Sequence, residues 1–415
     1  MSLVQLRKPV AVPRGGARMR VLISAETFPP DINGAARFAQ RLAGGLAGRG
    51  HDVHVVCPAT GSASSWELMA GVTLHRIASH RTPFHPTFRV CLPGRAYREV
   101  ARLLDELRPD VVHTQAHFLI GRALVSEARL RGVPVLATNH FMPENLLGYL
   151  KCPTAPARGL VRWAWRDLAK VYGGADLVTA PTPSAVELLR EGGFRGEAIA
   201  VSCGIDLDRH SLVEAREDPV PTVLFVGRLD EEKHVNELVE AMALLQEGLV
   251  AGAEIVGDGS CRARLEALAQ RRGVAGRIRF RGFVSDSELL ACYARCAVFC
   301  MPGVAELQSL ATMEAMTAGK PVVAADAVAL PHLVRPGRNG WLYPPGDVEA
   351  LAVRLAAVLG DSRERARLGA GSLQIIAGHG MAHTLDTFET LYHRVMARRS
   401  AAPISQDAAR APISA

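Results

Sequence analysis

Residues Ala297–Asp326 read AVFCMPGVAELQSLATMEAMTAGKPVVAAD, and the rest of the chain makes sense around them. The apolar run Ala297–Met301 has the length and flanking punctuation of a buried strand. A turn-rich loop over Pro302–Ala305 follows, then a helix over Gln308–Thr317 and a second buried strand over Pro321–Ala325. Two carboxylates sit in this strand–loop–helix. Glu306 falls just before the helix, and Glu314 lies about two turns along it. Open α/β sheets hold ligands outside the carboxyl ends of their strands, and the free N–H groups of a helix start attract anions such as phosphate. For one isolated glutamate the plainer reading is stronger, with Glu306 as a helix cap and Glu314 on a solvated face. The surrounding chain has to decide.

That chain repeats the same unit. Arg20–Ala25 reads as a first buried strand. The loop Glu26–Gly34 (ETFPPDING) leads into a helix over about Ala35–Ala47. Gly34 lets a backbone approach a bound group closely, and no GxGxxG fingerprint is present. Strands follow over Asp52–Cys57, Val72–Ile77, Asp110–Thr114, Pro134–Thr138 and Asp176–Ala180. Pro83, Pro86 and Pro93 exclude a regular helix over Arg81–Arg95, so the next helix is read at Ala101–Leu107. The polar, proline-bearing stretch Val213–Pro221 marks a linker. A second series then starts with Thr222–Val226, Ala253–Val256 and Arg277–Phe280, and Ser285 with Glu288 reads as a capping box. Two βα series joined by a linker predict an α/β fold of two Rossmann-like domains facing across a cleft, residues 19–205 and 206–382. Residues 1–18 and 399–415 read as a disordered leader and tail.

Composition narrows the function classes. With 415 residues, 48% hydrophobic and 21% charged, the chain is a globular protein too long for one ordinary core. No run approaches the roughly 18 apolar residues of a membrane span. The net charge of +7 is spread along the chain, without the basic stripe or reader motif of a nucleic-acid protein, so no nucleic-acid partner is expected. An anionic ligand or an anionic membrane surface fits it better. The eight cysteines read as small buried thiols, which points to the cytosol. The four-residue spacing of Cys292, Cys296 and Cys300 cannot lie on one helical face, because Cys300 falls in a strand.

Two strand ends deliver His113, His117 and His140 to one sheet edge, and Glu144 follows in the segment HFMPEN. One histidine there would be structural; several point to a polar, ligand-facing wall. Leu146–Lys170 mixes Trp163 and Trp165 with arginines and lysines. A membrane-facing helix and a core-packed helix fit it equally. In the second half, Arg228 and Lys233 flank the first strand-to-helix turn. Arg228 can grip phosphate bidentately and Lys233 offers a compact charge, so together they could neutralise a diphosphate without a metal. The competing reading is a surface ion-pair network with Asp230, Glu231 and Glu232. Beside both glutamates the ligand reading gains, with Glu314 suited to ribose hydroxyls and Glu306 to those of a sugar.

From about Met19 to Met396 the chain resembles the GT-B glycosyltransferases of the retaining family 4 type. The resemblance rests on VGRLDEEKH, VGDGSCRARLE, FRGFVSDSELLACY, AELQSLATMEAMTAGKPVVAAD, GRNGWLYPPGD and HFMPEN, with Glu306 and Glu314 matching the E-x7-E motif. It implies a donor site in the second domain, formed by Arg228, Lys233, Glu306 and Glu314 with Gly34, Gly257, Phe283, Gln308, Ser309 and Leu310. It implies an acceptor side in the first domain with His113, His117, His140 and Glu144, His140 approaching the reacting sugar. It further implies a last helix, about 383–398, that crosses back to the first domain. The implied reaction moves a hexosyl group from a UDP- or GDP-sugar to an acceptor hydroxyl with retention. No metal or cofactor is expected, the nucleotide sugar being a co-substrate. The acceptor is a sugar or a lipid, and peripheral contact with the inner face of the membrane stands beside a purely cytoplasmic location. The chain departs from the family at Ala35-Ala36 for a second glycine, at Cys203 for an asparagine, and at Leu307–Ser309 for an aromatic and a glycine. A GT-B epimerase and a non-catalytic nucleotide-sugar or glycan-binding protein are the rival readings.

Overall fold

Val21, Leu22 and Ile23 are all fully buried, and a run buried on both faces belongs in the middle of a covered parallel sheet. In the computed structural model, which describes residues 17–31, 33–82, 89–146, 154–209, 219–245, 249 and 251–401, this run is β1 (Arg20–Ser24). The first half continues with β2 (Asp52–Pro58), β3 (Ser65–Met69), β4 (Val72–Ile77), β5 (Ser79–Arg81), β6 (Arg89–Cys91), β7 (Val111–Thr114), β8 (Val135–Thr138), β9 (Leu177–Ala180) and β10 (Ala198–Ala200). The main sheet runs β10–β9–β8–β7–β1–β2–β4–β3, parallel except for the edge strand β3, and β5 with β6 forms a small ribbon. Its helices are α1 (Gly34–Gly48), α2 (Pro93–Leu107), α3 (Leu119–Leu130), α4 (Thr154–Tyr172) and α5 (Pro183–Glu191).

The second half builds a six-stranded parallel sheet from β11 (Thr222–Val226), β12 (Gly252–Val256), β13 (Ile278–Gly282), β14 (Val298–Met301), β15 (Val322–Ala325) and β16 (Gly340–Tyr343). Its order is β13–β12–β11–β14–β15–β16. Its helices are α6 (Val235–Leu244), α7 (Arg262–Arg271), α8 (Asp286–Arg295), α9 (Leu310–Thr317), α10 (Leu330–Leu333), α11 (Val348–Gly360) and α12 (Ser362–Ile376). The strand order reverses between β11 and β14 here, and between β1 and β7 in the first sheet. At such a switch point two loops diverge and leave a crevice. The loops after β11 and β14 carry Arg228 and Glu306. The fold is therefore the two-domain α/β arrangement expected.

The last helix, α13 (Met381–Ala401), returns to the first domain. Leu385, Phe388, Leu391, Tyr392 and Val395 are buried in one cluster with Phe38, Leu42 and Leu46 of α1. The chain reaches it through a backbone bridge, Ile205 N–H to the His379 carbonyl at 2.9 Å and Met381 N–H to the Ile205 carbonyl at 2.8 Å. Gly204 takes φ +70° there, and a side chain would collide with Met381 and Thr384.

Several local expectations change. Helix α9 starts at Leu310 rather than Gln308, because Ser309 caps it by accepting from the Thr312 N–H at 3.3 Å. Glu306 is therefore no cap, and Glu314 is only 3% exposed rather than solvated. Helix α2 begins at Pro93, which suits the first helical position, where no N–H is needed. Ser285 caps α8, but the Glu288 carboxylate pairs with Arg281 instead of reaching back. The seven described cysteines are free and buried. The leader up to residue 16, the linker at 213–218 and the tail from 402 lie outside the described residues.

Candidate active site

The crevice between the two sheets is a cleft of about 350 Å³ lined by both halves of the chain. Asn33, Gly34 and Arg37 come from the first half; Gly227, Arg228, Lys233, Gly257, Phe283, Asp286, Glu306, Gln308, Ser309, Leu310 and Glu314 come from the second. Every donor-side residue picked out in the sequence reaches this one cleft. The two switch-point loops brace each other, the Val304 N–H donating to the Glu232 carbonyl at 3.0 Å. That brace sets Lys233 beside Glu306, and the ammonium donates to its Oε1. Arg228 forks onto Asp230 at 2.7 Å and Glu232 at 2.6 Å, so the ion-pair network and the ligand-facing position coexist.

The floor is glycine for a physical reason. Gly257 has φ +124°, and a side chain there would run into the Gly227 carbonyl. Gly34 opens α1, with Asn33 capping the helix by accepting from the Ala36 N–H at 2.8 Å. The nearest atom to a side chain at Gly34 would be Leu310 Cδ1 at 3.8 Å. Packing within the protein therefore does not by itself require glycine at this position.

Glu314 is less exposed to the cleft than the sequence suggested. Its Oε1 lies 3.3 Å from Arg41, 3.3 Å from Arg209 and 3.6 Å from Arg37, while Oε2 accepts from the Tyr293 hydroxyl at 3.2 Å. Gln308 turns away too. Its Oε1 accepts from the Cys203 N–H at 2.7 Å, on the segment that joins the domains. Ser309 is occupied by its helix cap. The side chains of these two residues are thus engaged within the protein. Leu307, one of the departures, packs into the core of the first domain, and its carbonyl accepts from Thr182 at 3.1 Å.

Residues 208–373 match the description Glycosyl transferases group 1 and residues 32–209 match Glycosyltransferase Family 4. A GDP-mannose-dependent alpha-mannosyltransferase of Mycolicibacterium smegmatis is 32% identical, covering 92% of this chain and 99% of the relative. The chain belongs to glycosyltransferase family 4. A GDP-mannose-dependent alpha-(1-6)-phosphatidylinositol dimannoside mannosyltransferase of Mycobacterium tuberculosis is 28% identical over 76% of this glycosyltransferase and 82% of its own length. Among solved structures, a sucrose-phosphate synthase of Thermosynechococcus elongatus superimposes with a TM-score of 0.75 at 21% identity, over 92% of this chain and all of that one.

The first-domain wall of the glycosyltransferase differs from the sequence reading. His113 is fully buried. Its Nδ1 pairs with the Tyr392 hydroxyl at 2.7 Å and its Nε2 with Thr138 Oγ1 at 2.6 Å, so it ties α13 to the sheet instead of facing an acceptor. His117 is buried among Phe118, Phe141 and Tyr172. Glu144 is exposed, but its Oε1 accepts from Trp165 Nε1 at 2.9 Å. Trp165 is thereby a core residue, whereas Trp163 is 62% exposed. His140 stays partly exposed, its ring 4.7 Å from that of Phe38, and its Nε2 donates to Gln115 Oε1 at 2.9 Å. Burial lowers its pKa to about 4. Gln115 orients His140 and also contacts His113 at 3.1 Å. Arg37, Arg41, Arg209 and Gln115 were not among the residues picked out in the sequence, because their partners Glu314 and His140 lie far away in the chain.

Proposed function

We propose that this glycosyltransferase moves a mannosyl group from GDP-mannose to an acceptor hydroxyl with retention of configuration. The observation that carries this reading is the set Arg228, Lys233 and Glu306 at a switch point, beside Gly257, where only glycine fits. The leaving group gains negative charge as the bond to the sugar breaks. Fixed cations aimed at it stabilise that charge more than the ground state. Lys233 and Arg228 are the cations and Glu306 is the sugar-binding carboxylate. Glu314 suits the ribose. The leaving phosphate helps take the acceptor proton, in a front-face transfer without a glycosyl-enzyme. Mannose and guanine are supported by the similarity to GDP-mannose-dependent enzymes. Asp286 adds a chemical argument, since its 82%-exposed carboxylate lines the cleft and complements the N1–H and N2–H donors of guanine, which uracil lacks. A lipid acceptor fits α4, where Leu160 and Trp163 are exposed beside Arg162, Arg166 and Lys170.

The test compares nucleotide release and transfer from GDP-mannose and from UDP-glucose. GDP-mannose should be the faster donor, and the product should keep the α configuration by NMR. Lys233→Ala or Arg228→Ala should lower kcat/KM by about 10²–10³ while the unfolding midpoint holds. Transfer should persist in EDTA, and Asp286→Ala should narrow the preference for GDP over UDP. Equal turnover of both donors, or full activity in both cation variants, refutes the assignment. Flotation with anionic liposomes tests the acceptor side, and protein that stays wholly unbound removes the membrane surface.

A further inference from the structure

Three guanidiniums surround one buried carboxylate at Glu314, and of these only Arg209 has a second acid among the described residues, Asp286 at 3.6 Å, whereas Arg228 and Lys233 touch three carboxylates, Asp230, Glu232 and Glu306. Cations on the second-domain wall are thus already matched by acids, and the surplus of positive charge stands around Glu314. Two of its sources, Arg37 and Arg41, project from α1 of the first domain. They stand four residues apart on one helix face, and Glu314 is the one carboxylate that both contact.

The three arginines are not equivalent. Arg41 and Arg209 are 20% exposed and 3.3 Å from Glu314; Arg37 is 33% exposed and 3.6 Å away. Of the three, Arg37 lines the cleft, next to the capped start of α1 at Asn33 and Gly34. It is the guanidinium with the weakest hold on Glu314 and the most open path to a ligand.

We propose that Arg37 is a donor-binding residue that grips the nucleotide diphosphate from the first-domain wall, opposite Arg228 and Lys233. The proposal rests on Glu314 as the ribose carboxylate. A guanidinium beside that carboxylate stands next to the ribose, whose 5′-oxygen carries the α-phosphate. The planar fork of arginine suits two phosphate oxygens, and Arg41 with Arg209 keeps Glu314 neutralised once Arg37 turns to the donor. Because Arg37 belongs to one domain and Arg228 to the other, the diphosphate then bridges them, and phosphate binding is coupled to closure of the cleft.

Arg37→Ala, Arg37→Gln and Arg37→Lys should be titrated calorimetrically with guanosine, GMP, GDP and the UDP counterparts, beside the double variant Arg228→Ala/Lys233→Ala. Removal of the guanidinium should weaken GDP at least tenfold and leave guanosine within twofold, with Arg37→Lys recovering part of the loss. Small-angle scattering should show the wild type compacting with GDP and Arg37→Gln compacting less. An equal loss for guanosine and GDP, no loss at all, or a loss confined to acceptor KM overturns the proposal. If GDP binding survives in Arg37→Ala but falls in the double variant, Arg37 is excluded and the donor site stands. If neither variant weakens GDP, the reading of the cleft as the donor site fails with it.

Discussion

His140 is neutral through the physiological range, because burial lowers its pKa to about 4. A neutral imidazole whose Nε2 donates to Gln115 can still place its other nitrogen toward a hydroxyl, but it is a poor proton acceptor at pH 7. The pH–rate profile between 5 and 8 should therefore carry no inflection that disappears in His140→Asn, and a step lost in that variant refutes the neutral role. Stability carries the opposite signature. The folded pKa of His140, and of His117 likewise, is depressed by burial to about 4 from 6.5. Their contribution is present above 6.5 and is lost as pH falls towards 4. At this scale the sequence spoke unevenly. Glu306, Lys233 and Arg228 were legible because each stands within a few residues of a strand end. His113 was not, because its partner Tyr392 lies 279 residues away and only the fold brings them together. The arginines on Glu314 were hidden for the same reason, Arg41 being 273 residues distant.

Helix α3 shows how one loop residue sets an element. Glu26 is 6% exposed, and its Oε1 accepts from the Ile120 N–H at 2.7 Å and the Gly121 N–H at 3.1 Å, capping α3 from the loop after β1. Burial raises its pKa to about 7 against the lowering effect of those two bonds. A carboxyl raised in the folded state contributes stability that is full below about 4.5 and lost as pH rises through about 7. Glu26→Gln keeps an acceptor oxygen and removes the charge. Its unfolding midpoint should fall less than that of the wild type between pH 5 and pH 8, and parallel curves would exclude Glu26 as the source. Elements themselves were well read where an apolar run met a glycine or a cap, as at β11, β14 and α8. The start of α2 was missed, since proline breaks a helix interior but fits its first turn.

The whole molecule depends on α13, the last element among the described residues and part of the first domain in space. Phe388→Ala removes a fully buried ring from the cluster with Phe38 and should cost about 3–5 kcal/mol, read by denaturant unfolding. A chain ending at Gly380 should lose the cooperative transition of the first domain. Survival of that transition would mean that α13 only docks on a finished fold. The two-domain plan itself was legible, because each half repeats strands at regular intervals around a polar linker. The seam between the halves was not, since Leu307, Gln308 and Cys203, like Arg37 and Arg41 on Glu314, meet there through contacts no periodicity reveals.

Leu307 also determines how this enzyme could be recombined with its relatives. The loop that carries Glu306 belongs by sequence to the second domain, yet its next residue is embedded in the first. A chimera spliced within residues 210–218 would import a foreign side chain into a pocket shaped for leucine, and would leave α13 on a foreign α1. The exchangeable module is therefore the second domain without its Leu307 plug and without α13, and a graft that respects those two limits should fold where a simple half-and-half fusion does not.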